Sequence, residues 1–123
     1  MKSNINDKNA AVVAMAILDM DIKWTETFGD LDMTDLNYSD LFMRAWLARN
    51  TDIRKTDLYD FMPGVSRRTA VKYVQKLVDH GWLIETPAED KRVKYIKLAA
   101  EITARLERFL GYTYERFSQI KTE

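Results

Sequence analysis

Arg68, Thr69, Lys72 and Lys76 recur at the spacing that places them on one face of a 3.6-residue helix, with Arg67 beside them in its first turn. Such side chains can donate to phosphate oxygens and to the edges of bases, and Tyr73 adds a phenol to the set. A second group, Lys91, Arg92 and Lys94, lies about twenty residues on, where a narrow cationic hairpin would suit the minor groove of duplex DNA. Blander readings exist for both groups. A charged helix face is often only a solvated surface, and lysines blunt exposed strand edges.

The elements that would carry these groups have chemical boundaries. Ser66 is an N-cap residue whose hydroxyl can accept from a free first-turn N–H, and Gly81 supplies the left-handed stop, which predicts a helix over 66–80. On its apolar side, Val71, Val74, Leu77 and Val78 are the expected core residues. Pro63 and Gly64 provide a turn before it. Residues 53–62, with Ile53, Leu58, Phe61 and Met62, read as a short first helix packed on Val71 and Val74. Beyond Gly81, residues 82–86 read as a strand, 87–91 as a turn and 93–98 as a returning strand, with Ile96 and Leu98 sharing a face. Turn, basic helix and hairpin in this order predict a winged helix-turn-helix. Its second helix would read the major groove and its wing, 86–94, the minor groove. Cations in the first helical turn are disfavoured by the helix dipole, and an anionic partner would remove that conflict.

These residues resemble the MarR-type transcriptional regulators. The likeness rests on Asp90-Lys91-Arg92 followed by Leu98, which is similar to that family's Asp-x-Arg wing motif. It covers residues 53–98 specifically and most of the chain loosely. The resemblance implies that Ser66 to Lys76 is the recognition helix, that Arg92 enters the minor groove, and that Asp90 steadies the wing through a charge pair. Ala99 stands where the family has threonine, and Ile102 where glycine is common.

The charge distribution fits the same partner. The 123 residues sum to zero net charge, yet residues 1–50 carry −3, 51–65 carry −1, 66–97 carry +4 and 98–123 are neutral. The positive excess coincides with the expected reading head, the footprint of a nucleic-acid binder on an otherwise acidic body. With no cysteine there is no disulfide, thiolate metal site or cysteine redox switch. The single histidine, His80, falls in the last turn of the expected helix, where its charged form would suit the dipole. No Gly-rich phosphate loop, HExxH or Gly-x-Ser-x-Gly is present, and Glu89 and Asp90 belong to a hydrated hairpin tip. Neither an enzyme, a cofactor nor a metal site is therefore expected. The acidic stretch 30–35 lacks the glycine and terminal glutamate of a calcium loop and reads as a solvated connector.

Flanking helices complete the expectation of a mainly α chain with a small β hairpin. Residues 7–28 read as a helix ending near Gly29, with one stripe of Val13, Ile17, Met20 and Trp24 and a second of Ala11, Met15, Leu18 and Ile22. At the other end Ile102, Leu106, Phe109, Thr113, Phe117 and Ile120 follow a packing seam, interrupted by Gly111. Two apolar faces on one helix predict a homodimer in which residues 1–50 and 99–123 form the dimerisation helices and 51–98 the DNA-binding region. The alternative is that both stripes pack within one chain around residues 38–48. Trp24, Phe28, Tyr38, Phe42 and Trp46 are candidates to line an effector pocket, or plain core. No apolar run approaches a membrane span and no signal-peptide pattern opens the chain, so a cytoplasmic regulator of transcription, acting as a repressor on duplex DNA, is the expectation. The competing assignments are a winged helix used for protein contact and a replication or partition factor.

Overall fold

The computed structural model describes residues 4–87 and 92–120. Among the described residues, five α-helices and three strands follow one another as α1 (Asp7–Phe28), a 3-10 turn (Gly29–Leu31), α2 (Leu36–Leu47), β1 (Ile53–Arg54), α3 (Lys55–Asp60), α4 (Arg67–Asp79), β2 (Leu83–Pro87), β3 (Lys94–Leu98) and α5 (Ala100–Ser118). They cluster into two compact units. One comprises residues 1–32 with 105–123, the other residues 33–104, and the division falls inside α5.

In the first unit, α1 starts where Asn6 Oδ1 accepts from the Asn9 amide at 2.8 Å. Trp24 is buried between Phe28, whose ring lies 4.4 Å away, and Phe109 of α5, met edge-on at 5.0 Å. Arg116 Nε donates to Asp19 Oδ2 at 2.9 Å, joining the two helices a second time. The second stripe of α1 is less covered among the described residues: Met15 is 60% exposed, Leu18 61% and Ile22 58%.

The second unit is organised around a three-stranded antiparallel sheet in the order β1-β3-β2. Sequence reading missed β1. Two residues are too few to show alternation, and Ile53 looks equally apt for a helix until its pairing with Ile96 is seen. The first helix of the motif is correspondingly shorter than 53–62, running only from Lys55 to Asp60. Tyr38, Leu41, Phe42, Leu58, Met62, Ala70, Val74, Leu77, Leu83 and Ile96 form the buried interior.

Helix α4 has the expected caps. Ser66 Oγ accepts from the Thr69 amide at 3.2 Å, and Gly81 adopts φ +76°, a conformation strained for any residue with a Cβ. Its rotation differs from expectation at Val71, which is 40% exposed while Ala70 is fully buried. Ala70, Val74 and Leu77 lie within about 60° of one another around the helix axis, whereas Val71 is displaced about 100° from Ala70. After β3, Ala99 needs no side-chain cap. Its N–H donates to the Trp82 carbonyl, and its own carbonyl accepts from both the amide and the hydroxyl of Thr103.

Candidate nucleic-acid interface

The exposed side of α4 carries Arg67, Arg68 and Lys72, all open to solvent and opposite or flanking the buried Ala70, Val74 and Leu77. Arg67 lies over the Tyr59 ring at 5.1 Å, which steadies a long side chain without consuming its donors. Thr69 is half-buried, its hydroxyl accepting from Ser66 Oγ at 3.1 Å. Lys76 is also half-buried, its ammonium 5.8 Å from the Tyr38 ring. His80 closes the helix, with Nδ1 2.7 Å from the Lys76 carbonyl.

Tyr73 holds a different position from its cationic neighbours. Its hydroxyl donates to Asp35 Oδ2 at 2.8 Å, and its ring lies 4.6 Å from that of Tyr38. Asn37 donates to the same hydroxyl at 3.4 Å and favours the phenolate. The Asp35 hydrogen bond, burial and the Asp35 charge outweigh it, so the Tyr73 phenol titrates above its ordinary value. Asp35 is itself the N-cap of α2, its Oδ1 accepting from the amides of Asn37 and Tyr38. The acidic connector thus ends in a residue that caps one helix and restrains another, a task its sequence reading as solvated did not include. An Asp immediately before an apolar helix was the available signal.

On the wing, Arg92 and Lys94 are exposed. Lys91 and Asp90, the remaining wing candidates, lie outside the described residues. Glu85 on β2 pairs with Lys55 at 2.9 Å and with Lys94 at 3.5 Å. The Lys55 hydrogen bond is the chief reason the Glu85 carboxyl titrates below its usual range; burial opposes it, and the charges of Lys55 and Lys94 assist. Arg54, Lys55, Thr56, Arg92, Val93 and Lys94 line one cleft of about 320 Å³. Neither Arg54 nor Lys55 stood out in the sequence, because they belong to a segment of net negative charge.

No family model matches the sequence, and neither does any curated protein. Solved structures do match. The transcriptional regulator Tm0710 from Thermotoga maritima superposes with a TM-score of 0.60 at 15% identity, covering 94% of this chain and 79% of that one. A cysteine-to-serine mutant of MarR from E. coli, in complex with operator DNA, gives 0.54 at 19% identity, covering 94% and 84%. This chain has the MarR winged-helix fold. The heme sensor PefR from Streptococcus agalactiae, in complex with heme and carbon monoxide, shares it at a TM-score of 0.55 and 20% identity, over 96% of this chain and 83% of that one. At such identities the likeness is one of architecture.

The aromatic residues considered for an effector pocket divide between the two units. Trp24 and Phe28 are buried in the first, Tyr38 and Phe42 in the second, where the Tyr38 and Phe42 rings lie tilted at 6.2 Å. Trp46 is half-buried and carries the Arg49 guanidinium 3.7 Å from its ring centre. Among the described residues no group of three or more potential metal ligands occurs, and no helix is long and apolar enough to cross a membrane.

Proposed function

We propose that this protein is a homodimeric, sequence-specific DNA-binding regulator of transcription that represses by occupying promoter DNA. The observation that carries the reading is the exposed Arg67, Arg68 and Lys72 on α4, a capped helix whose other face is anchored in the core, in a chain with the MarR winged-helix fold. Arg67, Arg68, Thr69 and Lys72 are assigned to base edges, with Ser66 at the head of the helix, and Lys76 to a phosphate. Arg92 is assigned to the minor groove, supported by Lys91 and Lys94, and Asp90 to wing stability. Tyr73 serves the interface by holding α4 to Asp35.

Two copies are required by this reading. The uncovered Met15, Leu18 and Ile22 lie on one face of α1 and would be shielded by a second chain. A two-fold dimer would present two α4 helices to half-sites about one helical turn apart. Selection from a random duplex pool tests binding, spacing and symmetry together. The expected result is a palindromic consensus with salt-dependent affinity; a pool that never enriches would overturn the assignment.

A further inference from the structure

Positive charge is also concentrated away from α4, at a place created by tertiary pairing. Antiparallel pairing of β1 with β3 sets Arg54 opposite Tyr95, next to Lys94, and brings Lys55 and Arg92 onto the same cleft. Four cations and one threonine line it with a single aliphatic side chain, Val93. Its lining residues bring four positive charges and no aromatic ring, so a ligand held by stacking or apolar contact does not complement them. A phosphate does. Arg92 adds continuity, because phosphates border the groove it is assigned to enter.

We propose that this cleft clamps a backbone phosphate of the bound duplex, with Arg54 and Lys55 as its contacts and Glu85 as a built-in restraint. The proposal rests on the DNA-binding reading above and extends its footprint beyond α4 and the wing. Glu85 reaches Lys55 and Lys94 at once, so it orients both ammonium groups while cancelling part of their charge. A phosphate entering the cleft must share the lysines with that carboxylate. The restraint therefore lowers affinity for every sequence alike, which limits non-specific occupancy without touching base readout.

The test compares wild-type protein with Arg54→Gln, Lys55→Gln and Glu85→Gln on a selected duplex and a scrambled duplex across a salt series. Arg54→Gln and Lys55→Gln should each weaken both duplexes by a similar factor and flatten the dependence of log K on log salt by about one unit. Glu85→Gln should act oppositely, tightening both duplexes severalfold and steepening the slope. Opposite signs separate a clamp from general loss of structure, since a misfolded variant would not bind more tightly. If wild-type protein binds with a steep slope and all three variants retain it, the clamp is wrong and the DNA-binding reading stands. If wild-type protein binds no duplex, both fall. Inorganic phosphate supplies the remaining arm: amide shifts at Arg54 and Lys94 on phosphate titration, with an unchanged DNA slope in the variants, would mark a free-anion site and overturn the proposal.

Discussion

The Tyr73 hydroxyl donates to Asp35 Oδ2 at 2.8 Å while the other oxygen of that carboxylate caps α2. One side chain thus fixes the start of α2 and the middle of α4, thirty-eight residues apart in sequence. Tyr73→Phe removes that link together with the longer contact from Asn37, at about 0.5–1.5 kcal/mol for a solvent-accessible hydrogen bond. Asp35→Ala should cost about 1 kcal/mol more, because the cap is lost as well. A double-mutant cycle by urea unfolding should return a coupling of about 0.5–1.5 kcal/mol, and a coupling near zero would mean the bond is not formed in solution.

Arg68 and Lys76 should separate base reading from phosphate contact. Arg68 projects away from the core, whereas Lys76 lies partly against Tyr38. Arg68→Ala is expected to lose about 1–3 kcal/mol on the selected duplex and to broaden the consensus at one position. Lys76→Ala should weaken selected and scrambled duplexes equally and flatten the salt slope by about one unit. Equal losses for the two variants on scrambled DNA would remove Arg68 from the base-reading set.

How the sequence exposes local chemistry and hides tertiary pairing is visible along α4 and its neighbours. Ser66 and Gly81 bound the helix as expected because capping depends on residues a few positions apart. Val71 looked as apolar as Val74, and only the packed structure shows that Ala70 takes the inner position. Strand β1 was illegible for a stronger reason: its identity resides in the partners of Ile53 and Arg54, Ile96 and Tyr95, far along the chain, and with it went the cleft shared by Arg54 and Lys94. The resulting prediction is a contrast within one helix. Val71→Ala should change stability by no more than about 0.5 kcal/mol, whereas Leu77→Ala should cost about 2–5 kcal/mol by urea or thermal unfolding.

Met15, Leu18 and Ile22 recur at the three- and four-residue spacing of a single helix face, and all three are more than half exposed. In a dimer these side chains would be covered, each gaining up to about 1–2 kcal/mol, the share of a full burial that its remaining exposure allows. Leu18→Glu places a charge on that face without touching the buried Trp24 cluster. Light scattering at micromolar concentration should show wild-type protein at twice the chain mass and the variant at the monomer mass, with DNA affinity falling in parallel. A wild-type monomer would remove the two-half-site geometry altogether.

Arg105 provides a test of electrostatics independent of DNA. Its guanidinium donates to both oxygens of Asp30, at 2.7 and 3.1 Å, and to the Thr27 carbonyl at 3.0 Å. The Arg105 hydrogen bonds, helped by its charge, hold the Asp30 carboxyl below its ordinary value against an opposing effect of desolvation. A carboxylate whose folded pKa is depressed stabilises the fold when ionised. That contribution is complete above the unfolded value of about 3.9 and disappears as pH falls through the lower folded value. Arg105→Gln should therefore lower Tm by a constant amount between about pH 5 and pH 7 and by progressively less below about pH 4. A pH-independent remainder should persist from the lost bond to the Thr27 carbonyl, which does not titrate. If the Tm difference stays constant down to about pH 2, the Asp30–Arg105 pair contributes nothing through its charge.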